Sequence, residues 1–319
     1  MSMWRLSAGT ANIIGKKKAA THVHPSTAYI MIGEKCRNNC KFCAQSQGSS
    51  SANNRLSRIT WPACEAEQAS TGIGEAYAKR VIRRACLQVL DSEMGIDEAL
   101  AAIKRLQTDT KMPICVSSNI KTVDKARELL ANGAERICIP LDAATPDVFN
   151  RIKSGSWQEK WDLLIACATE WPGSITTHLI AGLGESEEDM VKTMTECINQ
   201  GITVGLFAFT PVRGTSLEEY SPQTIGQYRR IQIAHWLLKQ GYDYKSIQFN
   251  NGCITGFLVS NLYDILEDGS AFQTSGCRDC NRPYFNERPG GVMYNFPREL
   301  THTEVLKAIQ ESEVVIGLC

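Results

Sequence analysis

Three cysteines stand close together near the start of the chain, at Cys36, Cys40 and Cys43. Three thiolates within so short a segment can converge on a metal, because the thiolate is the form of cysteine that binds metals. A structural zinc site usually needs a fourth protein ligand and a second close pair. An iron–sulfur cluster is held by cysteine thiolates, and a cluster held by only three leaves one iron open to a small molecule. The spacing therefore favours an iron–sulfur cluster over a zinc knuckle.

A second close pair, Cys277 and Cys280, lies far along the chain on a turn that contains Gly276. One tight loop of this kind can give two metal ligands. An unrelated zinc site or a redox pair is the other interpretation, although a redox pair prefers a helix N-terminus. Cys253 is an alternative ligand. The remaining cysteines have no partner at ligand spacing: Cys64, Cys138, Cys167, Cys197 and Cys319. Of these, Cys167 and Cys197 fall inside predicted helices and are predicted to be core residues.

Short apolar runs alternate with amphipathic stretches through the middle of the chain, a pattern typical of βα units around a parallel sheet. The predicted strands are 28–32, 85–90, 113–117, 136–141, 175–181, 204–210 and 246–250. The predicted helices are 96–107, 123–132, 158–170, 186–200 and 227–241, with a further one at 299–310.

This alternation predicts an α/β fold with a (β/α)8 TIM-type barrel, closed or partly open, over residues 1–252. Residues 253–319 are predicted to form a C-terminal extension that folds against the barrel. In such barrels the chemistry lies at the carboxyl ends of the strands. Because the first cysteine cluster directly follows the first predicted strand, we expect it at that end.

The overall composition narrows the functional classes. With 34 acidic and 34 basic side chains, the formal net charge is zero, which argues against nucleic acid or membrane binding as the main task. No apolar run is long enough to cross a bilayer, and no secretory signal is evident at the N-terminus. We therefore expect a cytoplasmic protein whose thirteen cysteines serve metal binding or burial and not disulfides.

The Cys-x3-Cys-x2-Cys spacing, with Phe42 just before the third cysteine, resembles the motif of the radical S-adenosylmethionine (SAM) enzymes. The resemblance implies a 4Fe-4S cluster on Cys36, Cys40 and Cys43 whose open iron binds SAM. In that family the reduced cluster cleaves SAM, and the resulting 5′-deoxyadenosyl radical removes hydrogen from an unactivated carbon.

The same resemblance implies further cofactor contacts, each weak by itself. Asp142 would accept hydrogen bonds from the ribose, although it is also placed to cap a helix. Lys160 would meet the methionyl carboxylate, or it is a solvated helix residue. Glycines in a Gly-x-Gly turn would allow close backbone approach, or they only form the turn. The positions implied as cofactor contacts are Phe42, Asp142, Lys160, Gly182, Gly184, Pro211 and Val212.

Residues 28–252 also resemble biotin synthase, whose barrel holds a second cluster on three strand cysteines and one arginine. Cys86 and Cys115 occupy the first two of those positions. The third cysteine falls on Thr176 and the arginine near Gln248, so half of that auxiliary site is missing. The asparagine-rich strand end that biotin synthases use for substrate is replaced here by residues 139–141.

The missing ligands can come from the extension, because residues 277–290 and 58–62 look most like one subunit of the two-protein lipoyl synthases. This resemblance implies a four-thiolate auxiliary iron–sulfur cluster on Cys86, Cys115, Cys277 and Cys280. It implies a sulfurtransferase that inserts sulfur at C6 or C8 of a protein-bound octanoyl chain. No cysteine precedes Cys36, which disfavours the single-chain lipoyl synthases.

The implied partners are an octanoylated carrier protein or domain, a second radical SAM subunit, and a reductant such as ferredoxin or flavodoxin. Arg282 and Arg288 would orient the acyl tail or carrier, or would form turn salt bridges with Asp279 or Glu287. Biotin synthesis is the alternative sulfur insertion. A radical mutase or maturase would need only the first cluster, and a cluster scaffold or electron carrier would not cleave SAM.

Overall fold

A computed structural model describes residues 2–18, 23–108, 110–287 and 290–314. The strands are β1 (Met3–Leu6), β2 (Thr27–Ile32), β3 (Arg55–Leu56), β4 (Ile59–Thr60), β5 (Ala63–Glu65), β6 (Arg84–Val89), β7 (Ile114–Ser118), β8 (Arg136–Cys138), β9 (Ile175–Ala181), β10 (Thr203–Ala208), β11 (Ile247–Asn250) and β12 (Cys253–Phe257). The helices are α1 (Ala8–Ile13), α2 (Ala66–Ala78), α3 (Gly95–Gln107), α4 (Val123–Ala131), α5 (Pro146–Ile152), α6 (Trp157–Glu170), α7 (Glu187–Asn199), α8 (Ile225–Lys239), α9 (Leu262–Leu266) and α10 (His302–Glu311).

Eight strands form one mostly parallel sheet in the order β10-β9-β8-β7-β6-β2-β1-β5. The six strands from β10 to β2 run parallel, whereas β1 is antiparallel to both of its neighbours. The predicted TIM-type α/β barrel is confirmed, in its open form, since β10 and β5 are the two ends of the sheet.

Side-chain alternation divides each parallel strand between two faces. On β6, Ala85 and Leu87 join the main apolar core, whereas Arg84, Cys86 and Gln88 line a central cavity. The outer face is covered by helices whose ends are fixed by side-chain caps. For example, Ser186 and Asp189 form a capping box at the start of α7.

A C-terminal loop, residues 275–286, lies between the two sides of the open sheet. At the edge of β10, the Leu206 amide donates to Ser275 Oγ at 2.9 Å, and Arg282 Nη2 donates to the Leu206 carbonyl at 3.2 Å. On the opposite side, the rings of Tyr29 and Phe285 have centroids 4.9 Å apart. The loop therefore closes the cavity where the sheet does not close on itself.

The predicted strand at 246–250 was wrong as a barrel strand. It forms β11, which pairs only with β12 in a separate hairpin on either side of Gly252. Sequence reasoning also missed β1, β5, α2 and α5. In the part of the chain that the structure describes, no helix is both long and apolar enough to cross a membrane.

Candidate active site

The central cavity has a volume of about 270 Å³ and lies on the inner face of the parallel strands. Residues from six strands, from the loop after β2 and from the C-terminal loop line it. All seven cysteines predicted as metal ligands are among them: Cys36, Cys40, Cys43, Cys86, Cys115, Cys277 and Cys280.

The loop after β2 carries the first three cysteines to the carboxyl ends of the strands, as expected. Its backbone folds into successive turns, in which the Cys43 amide donates to the Cys40 carbonyl at 3.0 Å. Asp91, just beyond β6, anchors the loop. Its carbonyl accepts from the Arg37 amide at 2.7 Å, and its carboxylate accepts from Asn38 Nδ2 at 3.0 Å.

Two of these thiols are strongly perturbed. Burial raises the pKa of Cys40 to about 11 and that of Cys43 to about 12. Both are therefore protonated at neutral pH unless a cation replaces the proton, as a bound metal does. Metal binding at this loop must release protons, which is the usual behaviour of thiolate sites.

The donor set fits an iron–sulfur cluster. Among the described residues, no three His, Cys, Asp or Glu side chains are arranged to hold a metal ion. A cluster differs from a single ion because each cysteine thiolate binds a different iron, so the ligands spread around the cluster. Cys36, Cys40 and Cys43 face one cavity with only these three thiols on the loop, which suits a cluster with one iron left open.

Asp142 lies in the cavity wall in a left-handed backbone conformation, with φ of 66°. It does not cap a helix, because Thr145 caps α5. Its carboxylate forms a buried ion pair with Lys153, with Nζ and Oδ2 2.6 Å apart. Lys153 also lines the cavity, so a charged pair stands beside the first cysteine loop.

The other predicted cofactor contacts divide into two groups. Phe42 and Val212 line the cavity. Lys160 does not belong to the described lining. It donates to Asn119 Oδ1 at 2.6 Å, and burial lowers its pKa to about 8. Pro211 is also outside the described lining.

Gly182 and Gly184 both have positive φ, at 99° and 112°. Neither belongs to the described cavity lining. A Cβ at Gly182 would collide with the Gln223 side chain, and one at Gly184 with the Arg151 side chain. Because both clashes are with the mobile ends of long side chains, it is the positive φ of their turn that requires glycine at these positions.

The second group of cysteines forms on neighbouring strands. Cys86 of β6 and Cys115 of β7 are paired residues in the parallel register, so their side chains project on the same face. The Cys277 Sγ atom lies 3.9 Å from Cys115 Sγ. The Cys280 Sγ atom lies 3.4 Å from the Tyr29 hydroxyl. Four thiols from three segments thus meet in the cavity.

The loop that carries Cys277 and Cys280 enters from the amino ends of the strands. The Asp279 carbonyl accepts from Ser26 Oγ at 2.7 Å and from Thr27 Oγ1 at 2.8 Å, at the start of β2. Arg84, the first residue of β6, donates through Nη1 to the Arg278 carbonyl at 2.9 Å. The two cysteine loops therefore reach one cavity from opposite ends of the strands.

The amino-end site is electrostatically positive. The pKa of the Cys277 thiol is lowered, mainly by its hydrogen bond with Cys115 and then by the guanidinium groups of Arg84 and Arg136, although burial acts in the opposite direction. The loop is also strained, since Asp279, Arg282 and Tyr284 have φ of 62°, 35° and 64°. Burial raises the pKa of Cys280 on the same loop, so of the two loop thiols only Cys277 is prepared to ionise before a metal binds.

Arg282 lines the cavity and stacks on Phe207, with its guanidinium carbon 3.8 Å from the ring centroid. The predicted alternatives of ion pairs to Asp279 or Glu287 do not form within the described chain. Asp279 instead pairs with Arg83 at 3.0 Å. Arg288 lies outside the described residues.

None of the other described cysteines belongs to the cavity lining, although the Cys138 thiol lies against Ser117 and Thr176, which do. Cys253 is exposed on β12. Gln248 lies on β11 of the hairpin, outside the barrel sheet. It therefore does not occupy the position of the arginine that ligates the auxiliary cluster in biotin synthase. Cys319 lies outside the described residues. The remaining described cysteines are buried: Cys64, Cys138, Cys167 and Cys197.

Sequence reasoning missed Lys153, His178 and Arg84 as cavity residues. Burial lowers the pKa of His178 to about 4, so it faces the cavity as a neutral imidazole. Arg84 and His178 could have been found from alternation along β6 and β9, which places them on the same face as known site residues. Lys153 follows α5, a helix that was not predicted.

Residues 30–197, more than half of the chain, match the profile of the Radical SAM superfamily. The chain therefore belongs to the Radical SAM superfamily. Membership implies a 4Fe-4S cluster and SAM, in agreement with the first cysteine loop and the cavity beside it.

The curated relatives are distant. The chain is 26% identical over 127 residues to an uncharacterized protein of Methanocaldococcus jannaschii, covering 39% of this chain and 34% of that protein. It is 23% identical over 216 residues to the biotin synthase of Akkermansia muciniphila, covering 65% and 64%. It is 23% identical over 235 residues to the lipoyl synthase of Francisella philomiragia, covering 68% and 67%. The chain thus spans about a third of the first relative and less than two thirds of the second.

Two solved structures share the fold. HydG, a maturase of the FeFe-hydrogenase, has a TM-score of 0.55 at 13% identity, covering 67% of this chain and 50% of HydG. Methylornithine synthase (PylB) has a TM-score of 0.55 at 14% identity, covering 67% and 62%. At these identities the likeness concerns the fold alone.

Proposed function

We propose that this protein is a radical SAM sulfurtransferase that inserts sulfur at C6 or C8 of a protein-bound octanoyl chain, as in lipoyl synthesis. One observation carries the proposal. The four thiols of Cys86, Cys115, Cys277 and Cys280 line the same cavity as the three-cysteine loop. A sulfur insertion needs a sulfur source beside the radical-generating site, and a second iron–sulfur cluster on these four cysteines would be that source.

The residues at the carboxyl end of the cavity would bind the cofactors that generate the radical. Cys36, Cys40 and Cys43 would hold the first cluster, and Asp142 would accept hydrogen bonds from the ribose of SAM. When bound, the cluster and SAM supply a carbon-centred radical that can remove hydrogen from an unactivated C–H bond. Everything else required of the protein is orientation of substrate and exclusion of water.

The wall between the two cysteine groups is suited to an acyl chain. Aromatic and aliphatic side chains line it, among them Phe207, Phe209, Phe285 and Leu90. Such a surface binds a saturated chain by burial of apolar area, at about 25 cal/mol per Å². It also excludes water, which protects a reactive radical. The C-terminal loop contributes Phe285 to this wall, so it would shape the acyl site as well as hold thiols.

The proposal includes the partners that the resemblance to the two-protein lipoyl synthases implies. An octanoyl chain attached to a carrier protein or domain would enter from the carboxyl-end mouth of the barrel. A second radical SAM subunit would divide the two sulfur insertions with this chain. A small electron carrier such as ferredoxin or flavodoxin would reduce the first cluster.

The test is anaerobic incubation of the reconstituted protein with SAM, a reductant and an octanoylated carrier, followed by mass spectrometry of the carrier. The partner subunit is added in a parallel arm. We expect the carrier to gain the mass of sulfur. Cys280→Ala should still cleave SAM but give no sulfur product, whereas Cys253→Ala, at an exposed cysteine outside the cavity, should match the wild type. Unchanged sulfur insertion by Cys280→Ala would contradict the proposal.

Biotin synthesis is the second candidate. It is favoured by the distant biotin synthase relative and by Cys86 and Cys115, which line the cavity. Thr176 also lines the cavity, at the place of the third cysteine, but it has no thiol to offer. The hairpin position of Gln248 weighs against it, because no ligand can come from that strand into the barrel. A parallel incubation with dethiobiotin separates the two reactions: conversion of dethiobiotin without sulfur on the carrier would favour biotin synthesis.

A further inference from the structure

Arg84 is a buried cation that the proposed reaction has not yet used. It is only 3% exposed, at the first position of β6, and it lines the cavity together with Cys86, Cys115 and Cys277. Two of its nitrogens are engaged. Nη1 donates to the Arg278 carbonyl at 2.9 Å, and Nη2 pairs with Glu135 Oε2 at 2.5 Å.

The third nitrogen of the Arg84 guanidinium has no partner among the described residues. Its Nε is buried and makes no hydrogen bond within the described chain. Leaving a buried donor unpaired is unfavourable, and more so for a charged group. Buried donors in native proteins are nearly always satisfied, so an orphan of this kind points to an acceptor that occupies the site in the working protein.

The position of Arg84 identifies that acceptor by its chemistry. Arg84 lies two residues from Cys86 on the same face of β6, and through Arg278 it holds the loop between Cys277 and Cys280. The group expected beside it is an iron–sulfur cluster ligated by four thiolates, which is electron-rich and carries sulfur acceptors. Hydrogen bonds to cluster sulfurs and nearby positive charge set the reduction potential of such clusters.

We propose that Arg84 is a positioning residue of the auxiliary site, which fixes the Cys277–Cys280 loop through Nη1 and donates through Nε to a sulfur atom of the cluster. This inference rests on the proposed function, because it requires the second cluster. A donor to sulfur stabilises the more negative, reduced form, so Arg84 raises the reduction potential of the auxiliary cluster. The hydrogen bond from Nη1 to the Arg278 carbonyl holds the cysteine loop in place and so raises the fraction of protein that carries the auxiliary cluster.

The test uses the full chain with Cys36→Ala, Cys40→Ala and Cys43→Ala as the parent, so that only the auxiliary site can bind iron. Iron and sulfide are counted after anaerobic reconstitution, and the midpoint potential is measured by spectroscopic titration. Arg84→Lys keeps the positive charge but lacks the Nε donor, and Arg84→Met lacks both the charge and the donor. Arg229→Lys is the matched control, since Arg229 is equally buried, at 2% exposed, and is paired with Glu311 outside this cavity.

We expect Arg84→Lys to keep a cluster whose midpoint potential is shifted to lower values, and Arg84→Met to lose at least half of the iron. Arg229→Lys should keep the iron content and potential of the parent. If Arg84→Met fails to fold by circular dichroism, Arg84→Lys decides the question by its potential alone. Parent-like potential and iron content in Arg84→Lys would overturn the role of Arg84. A parent that binds no iron would instead overturn the second site itself, and the Arg84 role with it.

Discussion

The loop at Cys36–Cys43 and the loop at Cys277–Cys280 approach the same cavity in opposite ways. The first follows β2 and lies at the carboxyl ends of the strands, whereas the second is tied to Ser26, Thr27 and Arg84 at the amino ends. The first loop carries all its ligands in one segment. The second supplies only two thiols and depends on β6 and β7 for the others. A ligand set within one segment can be recognised by its spacing, whereas the second set is implied in the sequence only by the resemblance to the two-protein lipoyl synthases, and the fold brings its thiols together.

The two loops also differ in electrostatics. Burial leaves Cys40 and Cys43 as neutral thiols with raised pKa, beside the Asp142–Lys153 pair. At the other end, Cys115 and the nearby guanidinium groups lower the pKa of Cys277. Cys40 and Cys43 therefore need a metal to become ionised, and so does Cys280 at the other end, because burial raises its pKa. Cys277 differs from them, since its surroundings favour the thiolate before metal binds.

The largest expected effect is on SAM cleavage, which should depend on the first cysteine loop and not on the second. Cys40→Ala removes a ligand of the first cluster and should lower 5′-deoxyadenosine formation by more than about 100-fold, since even a residue that only supports a metal ligand is worth about 10–100-fold. Cys280→Ala should stay within about threefold of the wild type, because it affects only the other end of the cavity. Chromatographic measurement of 5′-deoxyadenosine checks both.

The control for this pair is Cys197→Ala, which changes a buried cysteine in the core of α7 and away from the cavity. It should cleave SAM like the wild type. Equal loss of cleavage in Cys40→Ala and Cys280→Ala would show that the two loops do not act separately.

A second expected effect concerns the cation beside the first loop. Lys153→Met removes one partner of a buried ion pair and leaves Asp142 uncompensated, so the free energy of unfolding should fall by about 3 kcal/mol. Lys160→Met loses only hydrogen bonds to Asn119 and the Ile120 carbonyl and should cost about 1–3 kcal/mol. Urea unfolding curves measure both.

The same two variants test which lysine serves SAM. Because Lys153 lines the cavity and Lys160 does not belong to its described lining, we expect Lys153→Met to raise the KM for SAM more than Lys160→Met. Lys153→Arg should recover most of the loss by keeping the charge. A larger KM change in Lys160→Met would assign the carboxylate contact to Lys160.

The smallest expected effect lies at the amino-end loop. Thr27→Val keeps the shape of a fully buried side chain but removes the donor to the Asp279 carbonyl, which should cost about 1 kcal/mol of unfolding free energy. It should also lower iron at the auxiliary site while leaving SAM cleavage unchanged. Thr169→Val, at an exposed threonine of α6 that bonds the Ile165 carbonyl, is the control. Full auxiliary iron in Thr27→Val would show that this anchor is dispensable.

Much of the fold could be predicted from the sequence because helices and buried parallel strands have distinct periodicities. The strand at 246–250 was misplaced because its Ser-Ile-Gln-Phe-Asn sequence alternates polar and apolar residues, a pattern typical of a half-exposed antiparallel strand and not of a parallel strand buried on both faces. Phe42 and Asp142, which the resemblance implies as cofactor contacts, line the cavity, and their role in binding SAM stays a prediction. Lys153 was missed because it follows α5, a helix that was not predicted. The tethers of Asp279 were missed because contacts between residues 253 positions apart leave no local pattern.

The central claim is that two separate cysteine sets hold two clusters in one cavity, and iron counting after anaerobic reconstitution tests it most directly. The wild type should hold roughly eight irons per chain if both sites take four-iron clusters. The variant with Cys36, Cys40 and Cys43 changed to Ala and the variant with Cys86, Cys277 and Cys280 changed to Ala should each hold about four. A wild type with about four irons, all lost in the first variant and all kept in the second, would contradict the account.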